Sequence, residues 1–217
     1  MSWPKLLVLV RHAESIGNTM PIEQRVKLDI STSEFPLTNK GKEQARITGE
    51  YLNKNFGTFS TYITSPYLRT TETAKLLYPD VEFQKDPRLI EVQRGIRYVM
   101  TEKQIKKKYP EEIIRKRKEG LYYYRPLGGE NWIDVEIRIR SFLNRLRSKK
   151  ILIVVHGNWL VIFQKIIDDL SIEKAIFNFE LGGFENASVT IYENKTVNRK
   201  SKLVLVEENI IPWKGKL

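Results

Sequence analysis

The chain contains two histidines, and each closes a run of apolar, β-forming residues. His12 follows Leu6-Leu7-Val8-Leu9-Val10-Arg11, and His156 follows Ile151-Leu152-Ile153-Val154-Val155. A neutral imidazole can attack phosphorus and carry the phosphoryl group, splitting one hard displacement into two easier ones. The stretch Arg11-His12-Ala13-Glu14-Ser15-Ile16-Gly17-Asn18 suits that chemistry. It gathers backbone amides, a guanidinium, a hydroxyl and a carboxamide around one imidazole, and a tetrahedral dianion needs such donors. The other ring nitrogen requires a hydrogen bond, often to a backbone carbonyl, to hold the reactive tautomer.

For this to work, both imidazoles must stand at one end of one sheet. Short apolar runs bounded by polar residues read as buried strands, most naturally in a parallel sheet covered on both faces. In open α/β sheets ligands bind beyond the carboxyl ends of the strands. The remaining pattern supplies the covering helices. Residues 38–53 read as a helix capped by Thr38, with Ala45, Gly49 and Leu52 on one face. Residues 59–64 read as a short strand, and 67–78 as a helix opened by Ser65-Pro66. Trp132, Val135, Ile139, Phe142 and Leu146 mark an amphipathic helix, and Leu160, Phe163, Ile167 and Leu170 repeat its spacing. Strands at about 188–193 and 202–207 flank a polar turn through Asn194 and Asn198.

This alternation predicts a three-layer α/β/α sandwich with a mostly parallel central sheet and right-handed crossovers. The pattern loosens over about 92–130, where Thr101-Glu102-Lys103-Gln104 spells a capping box and Pro110 opens a second helix. That segment reads as a helical cap inserted over the sheet of a single domain spanning 1–217. Gly128-Gly129-Glu130 reads as the turn into the next helix.

With 217 residues and 41% hydrophobic composition, the chain can bury a core without staples. It has no cysteine, which excludes disulfides, thiolate metal sites and cysteine nucleophiles and suits a reducing compartment. No stretch approaches the ~18–20 apolar residues of a membrane span. The apolar run after Lys5 is cut short by Arg11 and lacks a cleavage pattern, so no signal peptide is expected. A cytoplasmic location follows as an expectation. The net charge of +11 implies an anionic partner or substrate. The basic run from Lys103 to Lys118 reads as a solvated helical face offset by Glu102, Glu111, Glu112 and Glu119. Neither a Walker A loop nor a dinucleotide fingerprint occurs.

The run Arg11-His12-Ala13-Glu14-Ser15 with Asn18 resembles the histidine phosphatase superfamily, the phosphoglycerate mutase-like proteins. Ser65 to Ala74, Leu89-Ile90-Glu91, Gly128-Gly129-Glu130 and Val155-His156-Gly157-Asn158 agree with it, in the family's order. The resemblance implies that His12 is the nucleophile and that Arg11 and Arg69 clamp the phosphoryl oxygens. It makes His156 a donor to the transferring group and Glu91 the acid that protonates the leaving oxygen, then activates water. Asn18, Ser15 and, from the mutase-like His-Gly-Asn run, Asn158 match substrate-binding positions. Ser15 reads equally well as the cap of a turn, and Glu14 as a solvated residue.

The chain departs from the family at Ala13, where glycine is usual. It carries Gly17 where the mutases proper have tryptophan, and Arg94 where many relatives have an aromatic residue. Tyr122-Tyr123-Tyr124-Arg125 reads as an edge of the core or a lid, with a substrate wall as the alternative. No histidine pair at metal-ligand spacing exists and Arg11 beside His12 is cationic, so no metal and no cofactor are expected. The implied activity is a metal-independent phosphatase acting on a small phosphomonoester. A phosphoglycerate mutase is the first alternative. The second is a non-catalytic binder of nucleic acid or anionic lipid; no nucleic-acid or membrane partner is expected under the first reading.

Overall fold

The computed structural model describes residues 3–28, 30–147 and 149–217. In chain order the first half runs β1 (Leu6–Arg11), α1 (Ile16–Thr19), α2 (Ile22–Arg25), α3 (Asn39–Phe56), β2 (Thr61–Thr64), α4 (Leu68–Leu77) and β3 (Gln84–Lys85). Next come α5 (Ile96–Val99), α6 (Glu102–Lys108), α7 (Pro110–Tyr123), α8 (Trp132–Leu143) and β4 (Lys150–Val155). The chain then forms α9 (Gly157–Ile167), α10 (Ile172–Glu180), β5 (Val189–Val197) and β6 (Lys200–Ile210).

The strands make one six-stranded sheet in the order β3-β2-β4-β1-β5-β6. The first four are parallel, and β5 and β6 are antiparallel. Successive side chains of a strand point to opposite faces, and here both faces are dry. Leu7, Leu9, Ile151, Ile153 and Val155 pack toward α8 and α9 through Val135, Ile139, Phe142, Trp159 and Phe163. Val8, Val10, Leu152 and Val154 pack toward α3 and α4 through Leu52, Ala74 and Leu77. Burial on both faces is the reason the central strands read as unbroken apolar runs. The expected three-layer α/β architecture with a mostly parallel sheet is the one observed.

One register decides the site. In β1 and β4 the pairs run from Leu6 with Lys150 to Arg11 with Val155, so both strands end together. The next residues are His12 and His156, and the His12 amide donates to the Val155 carbonyl at 2.8 Å.

Several boundaries differ from the sequence reading. The α3 helix runs to Phe56 and stops at Gly57, whose φ of 62° no β-carbon favours. The α8 and α9 helices end at Leu143 and Ile167, so Leu146 and Leu170 lie beyond them, although Leu146 stays buried. Asn194 belongs to β5, and the hairpin turn is Asn198-Arg199 alone. Both of its residues have positive φ, as a tight primed turn demands. The short β3 and the helix α10 were not expected. The loosely patterned segment holds α5, α6 and α7.

Candidate active site

His12 leaves β1 in a loop that turns sharply under α3. The Ala13 amide donates to Thr73 Oγ1 at 3.0 Å, and the Glu14 amide donates to Gln44 Oε1 at 2.9 Å. The Asn186 amide nitrogen donates to the His12 carbonyl at 3.0 Å. Gly41 is required where α3 crosses this loop, because a β-carbon there would lie 2.0 Å from the Glu14 carbonyl oxygen. Glu14 itself is not free in solvent: its carboxylate accepts from Thr38 Oγ1 at 2.8 Å, which ties the loop to the α3 cap.

With its backbone held on all sides, the His12 ring has one arrangement available. Nδ1 lies 2.7 Å from the Ala13 carbonyl oxygen, an acceptor only, so Nδ1 carries the proton and Nε2 carries the lone pair. Arg69 Nε donates to that Nε2 at 3.1 Å, and Arg69 Nη1 donates to the Thr32 carbonyl at 2.8 Å. Burial pushes the His12 pKa well below its ordinary value, and the charges of Arg69 and Arg11 push it further down. The ring is therefore neutral at physiological pH.

The second imidazole is 5.2 Å from the first, centroid to centroid, and nearly edge-on. His156 is fully buried, and burial followed by the charge of Arg69 also drives its pKa well down. Its Nε2 lies 2.9 Å from Ser65 Oγ. That hydroxyl accepts from the Tyr67 amide at 3.4 Å and has no other acceptor among its contacts with the described residues, so its own proton is assigned to His156 Nε2. In that tautomer His156 Nδ1 is a buried N–H with no protein partner.

Around Nε2 of His12 lies a cavity of about 270 Å³. Of the expected site residues, Arg11, His12, Ser15, Asn18, Arg69, Glu91 and Asn158 line it, and His156 lies within the wall beside His12. Arg11 donates through Nη1 to the Phe184 carbonyl and keeps a buried Nε without a partner. The sheet register, the α4 start and the α9 start thus bring together residues spread from position 11 to 158.

Glu91 is held from two directions. Trp159 Nε1 at 3.0 Å and Arg138 Nη1 at 2.8 Å both donate to the Arg88 carbonyl, fixing the short 3₁₀ turn that leads to it. The carboxylate accepts from the Val92 amide at 2.9 Å and from the Asn158 amide at 3.4 Å. Ser15 and Asn18 engage each other: Asn18 Oδ1 accepts from the Ser15 amide and hydroxyl, each at 2.9 Å. The oxygen of Asn18 is thereby spent, and its NH₂ is what remains to offer a ligand.

Sequence reasoning gave no role to Arg25, Thr32, Phe35, Phe179 or Phe184, and placed Arg97 and Tyr98 only within a segment, 92–127, expected to set specificity; all seven line the cavity. Burial and the nearby Glu91 raise the Tyr98 hydroxyl to a pKa of about 12, so it stays a neutral donor, directed to the Val92 carbonyl at 3.1 Å. Of the tyrosine run, Tyr122 and Tyr124 are buried and donate to Glu136 at 2.6 Å and Glu112 at 2.8 Å. Arg125 pairs with Asp134. Among the described residues no group of three or more His, Cys, Asp or Glu side chains could hold a metal ion. No helix of the described chain is long and apolar enough to cross a membrane.

A family model described as the histidine phosphatase superfamily, branch 1, matches residues 7–206. The chain belongs to that superfamily. Among curated relatives of this superfamily member, a 2,3-bisphosphoglycerate-dependent phosphoglycerate mutase of Gloeobacter violaceus is 32% identical over 180 residues, 78% of each chain. A phosphoserine phosphatase of Hydrogenobacter thermophilus is 32% identical over 145 residues, 66% of this chain and 64% of its own. Among solved structures, the α-ribazole phosphatase of Shigella flexneri superposes with a TM-score of 0.74 at 20% identity, covering 95% and 98% of the two chains. A mycobacterial glucosyl-3-phosphoglycerate phosphatase bound to inorganic phosphate gives 0.71 at 22%, covering 96% and 98%. These two likenesses speak for the fold. The relatives include both phosphatases and mutases.

Proposed function

We propose that the protein is a metal-independent phosphomonoester phosphatase that works through a phosphohistidine on His12. The observation that carries this reading is the His12 ring. Its Nδ1 proton is committed to the Ala13 carbonyl, while its unprotonated Nε2, which accepts from Arg69 Nε, lies at a cavity lined by Arg11 and Arg69. On binding, the phosphoryl group takes the place of Arg69 Nε at Nε2, and both guanidinium groups turn their donors onto its oxygens. Nε2 attacks phosphorus in line, the P–O bond to the leaving group breaks, and protonated Glu91 delivers its proton to that oxygen. The Glu91 carboxylate then takes a proton from water as the water oxygen attacks phosphorus. The N–P bond breaks, and inorganic phosphate and neutral His12 are regenerated.

In this scheme the unpartnered Nδ1–H of His156 gives a hydrogen bond to a phosphoryl oxygen as negative charge develops there. Asn18, Ser15 and Asn158 are assigned to substrate binding, Asn18 through its NH₂ and Asn158 from the start of α9. A cytoplasmic site of action fits a cysteine-free chain.

The mutase reading differs only in the acceptor, a second substrate hydroxyl instead of water. Asn158 and the mutase relative favour it. Gly17 favours hydrolysis, since the space where its β-carbon would point is filled by the Phe35 ring at 2.6 Å. The deciding experiment is hydrolysis of 4-nitrophenyl phosphate in EDTA by wild type and His12→Ala. Turnover by the wild type alone supports the assignment, and equal turnover by both overturns it. Transfer to added phosphoglycerate that exceeds phosphate release identifies a mutase. Salt-sensitive binding of nucleic acid or anionic vesicles by a chain that hydrolyses nothing identifies a binder.

A further inference from the structure

The histidine cavity is not closed on its Glu91 side. A second cavity of about 280 Å³ adjoins it, and Arg94, Arg97, Asn158 and Phe179 line both. The Asn158 amide is also a donor to Glu91, so the proposed acid is bonded to a residue that the two cavities share. Either volume alone falls short of the roughly 300–1,000 Å³ usual for small-molecule sites, and the two together fall within it. Beyond the shared residues the second cavity is lined by apolar and aromatic side chains, Leu121, Tyr124 and Trp132 among them.

Its charges are cationic and partly uncommitted. Arg97 donates Nε to the Tyr124 hydroxyl at 3.3 Å, but its Nη2 is buried with no partner among the described residues. Arg94 and Lys116 are exposed and line the same space. The acid in that lining, Glu130, is already neutralised: Arg138 holds it through two contacts of 3.1 and 3.2 Å, and the Gln93 amide donates to it at 3.0 Å. Arg11 and Arg69 suffice for the reacting phosphoryl group, so Arg97 and Lys116 are left for another anion.

We infer that the substrate is an extended phosphomonoester whose leaving group passes Arg97 into the second cavity. That group has an aromatic or apolar body, seated against Trp132 and Phe179, and a second anionic group held by Arg97 and Lys116. This inference rests on the phosphatase reading for which end of the substrate meets His12.

The test compares 2-naphthyl phosphate with 6-carboxy-2-naphthyl phosphate, whose leaving groups are similar and which differ in the distal anion. The carboxylated ester is expected to have a kcat/KM about tenfold or more above its partner, as a charge-assisted hydrogen bond implies. That ratio should collapse toward one in Arg97→Met and fall in Lys116→Met, a change at an exposed position that leaves packing intact. Equal kcat/KM for the two esters in the wild type, or an unchanged ratio in both variants, overturns the inference. If the wild type hydrolyses neither ester, the catalytic reading fails by itself. Calorimetric binding of the same two esters then decides: a preference for the carboxylated one that Arg97→Met removes upholds the second cavity, and equal binding overturns it.

Discussion

Beyond the carboxyl ends of β1 and β4, the polar groups that carry the imidazoles are tied down. The backbone of residues 12–14 is bound to Val155, Thr73, Gln44 and Asn186, the His12 ring to Ala13 and the His156 ring to Ser65. The segment 94–98, which faces them across the cavity, is built differently. Arg94 is exposed, and Gly95 takes a φ of 48° where a β-carbon would strike the Leu127 carbonyl; Arg97, like Arg11 and His156 on the floor, has a buried nitrogen with no partner among the described residues. The difference separates two tasks. A nucleophile must be held in one tautomer and one direction before substrate arrives, which calls for a dry scaffold that bonds the backbone of 12–14 while leaving Arg11 Nε and His156 Nδ1 unspent. Recognition of a particular leaving group calls for donors still unspent when the ligand comes.

The comparison is most easily broken at the nucleophile. His12→Ala should lower kcat for 4-nitrophenyl phosphate by about 10⁴-fold or more, since the other imidazole on the floor, His156, has its Nε2 engaged by Ser65. Its far-UV circular dichroism should be unchanged. Glu91→Gln comes next, with a loss of about 10²–10⁴ on an alkyl phosphate and a much smaller loss on the activated aryl ester. Equal losses on both would remove Glu91 from proton transfer.

Ser65→Ala sharpens the contrast on the floor, because Ser65 acts through His156 and touches no substrate. We expect about a tenfold fall in kcat with KM little changed, and a lower melting temperature from leaving His156 Nε2 unbonded. A fall in melting temperature without the kcat effect would make the contact merely structural.

The smallest effect is a titration. The folded pKa values of both histidines lie below the unfolded value of about 6.5. Below pH 6.5 the unfolded chain therefore binds protons that the folded chain does not. Their contribution to stability is complete above that pH and is lost as pH falls toward the folded values. With only two histidines in the chain, imidazole NMR resonances read this directly, and neither should titrate near 6.5. A midpoint at 6.5 would show that burial and the arginines do not govern these rings.

Much of this floor could be read from the chain. Strands buried on both faces leave long apolar runs, so β1 and β4 were visible together with the histidines that end them. Helix α3 announced itself by the cap at Thr38, and α8 by its apolar spacing; the Asn131 cap of α8 emerged only in the structure. The edges were harder. A two-residue strand such as Gln84–Lys85 has no periodicity, and α9 ends at Ile167 although the apolar pattern runs on to Leu170. The pairing of Ser65 with His156 spans ninety-one positions and leaves no local trace. The same holds for Phe184, whose carbonyl holds Arg11, and for Arg25 and Phe179 in the cavity wall.

What the sequence determined by itself was chemical type and local geometry: which residues can donate, accept or attack, and which segments must be strand or helix to bury their apolar atoms. Those properties depend on neighbours within a few positions. Only the tertiary structure decided that β1 lies beside β4 in a register that ends both strands together. It likewise decided that Arg69 aims at Nε2 and that the arginines of 94–97 border two cavities. These are meetings of distant segments, fixed by the packing of both sheet faces at once, and no local pattern encodes them.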